Sequence, residues 1–449
     1  MAGILTRDEA RALSERILGA SKTDAAQVVL RSTLDGHTRY ALNQLTTSGE
    51  AEDTNVSLTV RIGRRSASVS FNSLETDAIR AAVADAARLA ALTPEDPELM
   101  PLLTPQEYAA AEGYFESTAT LDAARRADAV GEVVASAGRG KVVATGFLQR
   151  RAGAVAVANT AGLFAYHRAT QVSHTTTART PDGEGSGWAG TTHNDYERTV
   201  EPRDLAERAV EKAVRSRGRG ALEPGSYTVV LEPTAVGNLI RLLRFSLDAR
   251  QADEGRSYFS RQDGGNRIGE RVASELVTLL SDPADPDLLT EPFTEDGEAL
   301  RRTVWIENGE LRNLSYSRYW AERAGREPTP PGGGLKFIGG EGSVGDLVST
   351  VDRGVLVTRF WYIRSIEARS MSFTGLTRDG TFLIEDGRPT APVTNMRFNE
   401  SVMAMLNNIV KVGESRRVVA SESGGLGEPV VAPPLVVRDF HFTSVSDAV

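Results

Sequence analysis

The sequence predicts an α+β protein of two domains, with a layered α/β domain on a mixed sheet over residues 1–220 and a β-rich domain over residues 221–449. Three observations carry this. A chain of 449 residues exceeds what one ordinary hydrophobic core holds, so it divides. In the first half, Val56, Leu58, Val60 and Ile62 alternate strictly with polar residues, the mark of a half-buried strand, and alanine-rich helical stretches follow. After the Gly-Arg-Gly linker at 218–220, short strands and tight turns dominate.

The first element is a helix over 6–20, with Thr6 as N-cap and Glu9 at the capping-box spacing. Strands are expected at 25–33, 38–48 and 55–71, the last broken by a turn at Gly63, Arg64 and Arg65. A helix over 74–92 then packs on that sheet. Residues 94–105 are a proline-rich connector. A helix at 121–137 precedes strands at 141–150, 153–159, 163–178 and 187–193, and a helix over 202–217 ends the first domain. In the second domain, 227–231 reads as a strand, Glu232 and Pro233 as a turn. Val236, Leu239, Ile240, Leu243 and Leu247 form the buried face of a helix that frays near Ala252 and stops at Gly255. Strands are expected at 272–280, 303–307, 355–362, 381–385 and 433–445, with a helix at 401–408. Asn308-Gly309 and Asp386-Gly387 favour primed hairpin turns.

Hydrophobic residues at 40% and charged residues at 25% describe an ordinary globular protein. The net charge of −9 argues against nucleic-acid binding. With no cysteine, disulfides and thiolate–metal sites are excluded. The N-terminal helix lacks the apolar core of a signal peptide, and no stretch has the roughly 20 apolar residues a membrane span requires. A cytoplasmic protein without membrane contact is expected.

Chemistry-bearing motifs are sparse. None of the five histidines lies four or five residues from another, so no helical zinc pair exists; His167 and His174, seven apart on a strand, face opposite ways. Gly340, Gly342 and Gly345 match G-x-G-x-x-G but lack the βαβ setting, so they read as a loop. Asp282, Asp285 and Asp287 sit among prolines and read as a turn rather than a calcium loop. Phe360, Trp361 and Tyr362 are core residues of a strand or, alternatively, part of a peptide groove. Arg241 and Arg244 lie on the helix after the 227–231 strand, with Ser246 just beyond.

The run VVLEPTAVGNLIRLLRFSL with GRSYFS after it, then FTEDGEALRRTVWIENGELRNL and TFLIEDGRPTAPV, resembles the TldD/PmbA family. These are metallopeptidase-related proteins also named as modulators of DNA gyrase. The resemblance spans nearly the whole chain. It implies, in the catalytic branch, an H-E-x-x-x-H helix whose histidines bind zinc and whose glutamate polarises water, with a further cysteine near the C-terminus. The matching window here falls at about 241–246. Arg241 stands for the first histidine, Leu242 for the glutamate and Ser246 for the second histidine, and the cysteine is missing. The chain therefore resembles the PmbA (TldE) branch. That implies a non-catalytic subunit without a metal, paired with a zinc-bearing TldD-type H-E-x-x-x-H subunit that cleaves small or unfolded peptides. Arg241 and Arg244 are either solvated or interface residues, or one of them holds a peptide carboxylate. Strand edges near Phe360, Trp361 and Tyr362 are further candidates for peptide contact. Two rival readings are a stand-alone homodimeric peptide-binding protein, and an enzyme with a relocated metal site built from scattered histidines.

Overall fold

The structure, a computed structural model, describes residues 3–446. Helix α1 (Arg7–Ala20) opens with the expected capping box, Glu9 Oε2 accepting from the Thr6 N–H at 2.9 Å, and buries Ala10, Leu13 and Ile17. Strands β1 (Ala25–Ala41), β2 (Gln44–Ile62) and β3 (Arg65–Phe71) form a meander, and α2 (Thr76–Leu92) lays Ile79, Val83, Ala86 and Ala90 against it. The chain continues through α3 (Glu116–Ala119), α4 (Ala123–Arg139), β4 (Val143–Asn159), β5 (Phe164–Arg179), β6 (Ser186–His193) and α5 (Pro202–Arg215).

All six strands form one sheet in the order β3-β2-β1-β4-β5-β6. Every pairing in it is antiparallel, which corrects the expected mixed sheet. Short hairpins join most of these strands, and a two- or four-residue connection cannot produce a parallel neighbour. Leu30, Leu58 and Leu148 face the helices, whereas Val155 and Val157 face the opposite way, where Phe293 from the second half covers them.

The strand breaks expected at 34–37, 49–54 and 151–152 are absent. Residues 34–37 lie inside β1, and the chain turns instead at Leu42 and Asn43, whose φ values of 52° and 59° make a primed hairpin. Gly36 serves a different need. A Cβ there would lie 2.5 Å from Nη1 of Arg126 and 2.9 Å from Nε of Arg150. Arg126, wholly buried, shares the Glu50 carboxylate with Arg150 at 3.1 and 3.2 Å. Replacing Gly36 by Ala is expected to destabilise the protein by about 1–3 kcal/mol through overpacking against these guanidinia; an unchanged urea midpoint would contradict it. Likewise β4 runs unbroken through 151–152.

In the second half, β7 (Gly225–Leu231) pairs in parallel with the strand Arg353–Glu367 and antiparallel with Leu435–Val445. The path continues through Met396–Ser401 and Ser372–Glu385, and the latter pairs back to Arg353–Glu367. Five strands thus close into a barrel. Phe360, Phe398, Phe440 and Phe442 are fully buried; Phe360 stacks on Phe440 with centroids 5.6 Å apart and meets Phe398 at 4.7 Å. A second, mixed sheet of six short strands lies beside it. The turns at Asn308-Gly309 and Asp386-Gly387 have the left-handed φ values expected of primed turns. The expected strand 272–280 shrinks to Leu279–Ser281. Upstream of it, Val272 and Ala273 both donate to the single Gly309 carbonyl, a loop pattern rather than a ladder.

The halves are bolted together. Ser186 Oγ donates to Asp379 Oδ1 at 2.6 Å, Lys212 pairs with Glu232 at 2.8 Å, and Arg31 reaches Glu291 and Glu295 at 3.2 and 2.8 Å.

Candidate functional site

The strand β7 feeds helix α6 (Pro233–Ile240), with Pro233 at its first position, where a missing N–H costs nothing. Every residue of α6 is buried. Asn238 fixes it on both sides: its Nδ2 donates to the Ala420 carbonyl at 2.7 Å and its Oδ1 accepts from the Phe360 N–H at 3.0 Å. Beyond Ile240 the expected long helix is corrected. Residues Arg241–Phe245 tighten into a 3₁₀ turn, and a separate short helix follows at Ala249–Asp253. The break has a cause in the backbone. Ser315 N–H donates to Leu247 O at 2.6 Å and Ala249 N–H to Ser315 O at 2.9 Å, so this stretch must be extended, and Asp248 caps the new helix by accepting from Gln251 N–H.

With three residues per turn, Arg241 and Arg244 project from the same side. Arg241 pairs with Glu422 at 3.4 Å, and Arg244 pairs with Glu428. Burial pushes both guanidinia below the ordinary arginine range. Leu242 packs against the main core, and the Ser246 carbonyl accepts from Ser257 Oγ at 3.1 Å. Both glutamates come from a glycine-rich strap, residues 421–429, in which Gly424 and Gly425 adopt left-handed conformations. Glu422 also accepts from the Ile363 N–H at 3.2 Å, and Gln171 of β5 holds the strap by donating to Gly427 O at 2.5 Å.

Two cavities flank this strap, one of about 590 Å³ against the first-half sheet and one of about 520 Å³ beside the 3₁₀ turn. Both are lined by Gln171, Arg244, Pro331 and residues 426–429, so the strap with Arg244 is their partition. Sequence reasoning missed Glu422, Glu428, Gln171 and Arg417. Their partners lie some 60 to 260 residues away in sequence, and only the glycine run marks the strap locally.

The aromatic strip separates. Phe360 is sealed in the barrel core and offers no surface to a ligand, which corrects its candidacy. Trp361 is partly buried with the Arg378 guanidinium 4.2 Å from its ring centroid; Tyr362 is 49% exposed, has φ of +55° and carries Arg364 at 4.2 Å. Neither lines the two cavities.

The residues at the window do not fit zinc. Two guanidinia, an alkyl chain and one hydroxyl supply no imidazole, thiolate or free carboxylate set. Among the described residues no group of three His, Cys, Asp or Glu side chains could hold a metal. His174 is buried on the helix side of the sheet against the Tyr40 hydroxyl at 3.2 Å, whereas His167 lines the larger cavity on the other face. At the aspartate turn Lys336 Nζ occupies the centre, 2.8 Å from Asp285 and 3.3 Å from Asp287. No helix among the described residues is long and apolar enough to cross a membrane.

The fold matches solved structures along almost its full length. TldE from Thermococcus kodakarensis superposes with a TM-score of 0.84 at 17% identity, over 97% of this chain and 99% of that one. A protein from Thermotoga maritima, named as a modulator of a DNA gyrase, gives 0.81 at 20% identity, over 97% and 100%. In sequence, a metalloprotease of Methanothermobacter thermautotrophicus is 27% identical over 247 residues, 51% of each chain. The metalloprotease TldD homolog of Buchnera aphidicola is 24% identical over 230 residues, 46% of each. The aligned stretches thus span about half the length of these relatives. Residues 26–90 match the PmbA/TldA metallopeptidase domain 1, residues 113–217 its central domain, and residues 224–444 its C-terminal domain. With those three domains matched in order along the chain, it belongs to the TldD/PmbA family of metallopeptidase-related proteins.

Proposed function

We propose that this chain is the metal-free, non-catalytic subunit of a TldD/TldE-type peptidase assembly. In this reading it closes a peptide chamber around a partner subunit that carries H-E-x-x-x-H and zinc. The observation that carries the reading is the pair of arginines in the metal-motif window. Arg241 and Arg244 project together, each neutralised by a glutamate of the strap, where the catalytic branch needs a cation-binding face. A divalent cation there would find no imidazole, and the two nearby carboxylates are already taken by guanidinia. The chain's own contribution is to bind and position peptide: Arg241 is the candidate to hold a peptide carboxylate once Glu422 yields, with Trp361 and Tyr362 at the adjoining strand.

Two outcomes follow. The purified chain, exchanged through zinc and then dialysed, should retain no stoichiometric metal and hydrolyse no peptide; one bound zinc with chelator-sensitive cleavage would favour a relocated active site. In the assembled complex, Arg241→Ala should reduce peptide turnover several-fold and leave assembly intact. Turnover unchanged by that substitution would remove Arg241 from the site.

A further inference from the structure

The larger cavity, between the first-half sheet and the second half, has a charge pattern of its own. Four arginines line it. Three already have carboxylates: Arg31 with Glu291 and Glu295, Arg151 with Asp35, and Arg244 with Glu428. The fourth, Arg417, has none among the described residues. Its Nη1 donates to Asn194 Oδ1 at 2.5 Å and to the Asp287 carbonyl at 3.5 Å, and its Nε is buried without a partner. The nearby Asp287 carboxylate is shared by Arg198 and Lys336, each at 3.3 Å. A half-buried guanidinium whose Nε is cut off from water and which has no anion is costly, and burial pushes Arg417 down to about 10, still cationic at neutral pH. Two more lining residues carry buried polar atoms without partners, His167 Nε2 and Thr290 Oγ1. Beside these polar groups the wall is apolar, with Val155, Leu289, Phe293 and Leu300.

We propose that this cavity binds the C-terminal end of a peptide, with the terminal carboxylate on Arg417 and the last side chain against the apolar wall. A planar guanidinium takes a carboxylate with two parallel N–H donors, and an apolar pocket with few polar groups is the usual form of such a site. Arg244 is the second cation of the site. Glu428 of the strap now neutralises it, so a ligand carboxylate competes with Glu428, and movement of the strap would join the two cavities. That the ligand is a peptide rests on the proposed function; that it bears a carboxylate does not.

The test uses the full-length chain alone, with acetyl-Leu-Phe as free acid and as C-terminal amide, measured by isothermal titration calorimetry. The free acid should bind at least tenfold more tightly than the amide. Arg417→Gln should abolish that preference and Arg417→Lys should retain part of it, with melting temperatures confirming that both variants are folded. Glu428→Gln should tighten binding of the acid, an effect no purely structural role of the strap produces. Equal binding of acid and amide, no binding of either, or a preference that survives Arg417→Gln would overturn the proposal. Because no partner chain is present, a failure to form the peptidase assembly would leave this result unaffected.

Discussion

Lowering the pH from about 6.5 towards 4 is expected to remove much of the protein's folding stability. Three histidines drive this. His167, His174 and His193 are 7%, 3% and 4% exposed, and each is held down to about 4, chiefly by burial, with the Arg417 and Arg198 cations adding to the effect at His193. The sign follows from which state takes up protons. An unfolded histidine protonates near 6.5, whereas the folded ones stay neutral until about 4, so within that window the unfolded chain binds more protons. The stabilisation is therefore complete above about 6.5 and falls as the pH drops through the window. At about 1.4 kcal/mol per pH unit, each histidine contributes up to roughly 3 kcal/mol, against a total stability on the order of 5–15 kcal/mol. Urea midpoints measured between pH 7.5 and 4.5 should fall steeply. His174→Gln, which can still meet the Tyr40 hydroxyl, should flatten the slope by about a third, and a wild-type midpoint independent of pH would contradict this account.

Phe360→Ala is expected to cost about 3–5 kcal/mol, the range for emptying a large aromatic from a packed core. Phe360 has no exposed surface and contacts Phe398 and Phe440 across the barrel. Its backbone N–H is also the donor to Asn238, so relaxation of the strand would be felt at the start of the arginine-bearing turn. Tyr362→Ala, two residues on and half exposed, should cost well under 1 kcal/mol. Equal losses for the two variants, read from chemical denaturation, would mean that the barrel core is not where the structure places it.

That contrast also shows what could be read from the sequence and what could not. The family, the α+β class, the helix 6–20 with its capping box, and the primed turns at Asn308-Gly309 and Asp386-Gly387 all follow from local patterns, and each is present. The errors came where a local signal served a distant partner. A break was expected between strands 25–33 and 38–48, yet Gly36 lies inside β1 and leaves room for Arg126, which is ninety positions away in sequence. The periodic run from Val236 to Leu247 reads as one helix, but Ser315 pairs with the backbone at 247–249 and interrupts it. At the site, Arg241 and Arg244 were identifiable because both lie in the window that the family resemblance marks. Their counter-ions Glu422 and Glu428, and Arg417 with its bond to Asn194, were not, because pairing across such separations leaves no periodic trace.

The central claim is that the chain works as the metal-free member of a two-subunit peptidase. Its most direct test is recovery of the tagged chain from its native host, with native mass spectrometry of what accompanies it. The account predicts a stable complex in equal copies with a second chain that carries H-E-x-x-x-H and one zinc. A homodimer with no such partner would contradict it and favour a stand-alone peptide-binding protein.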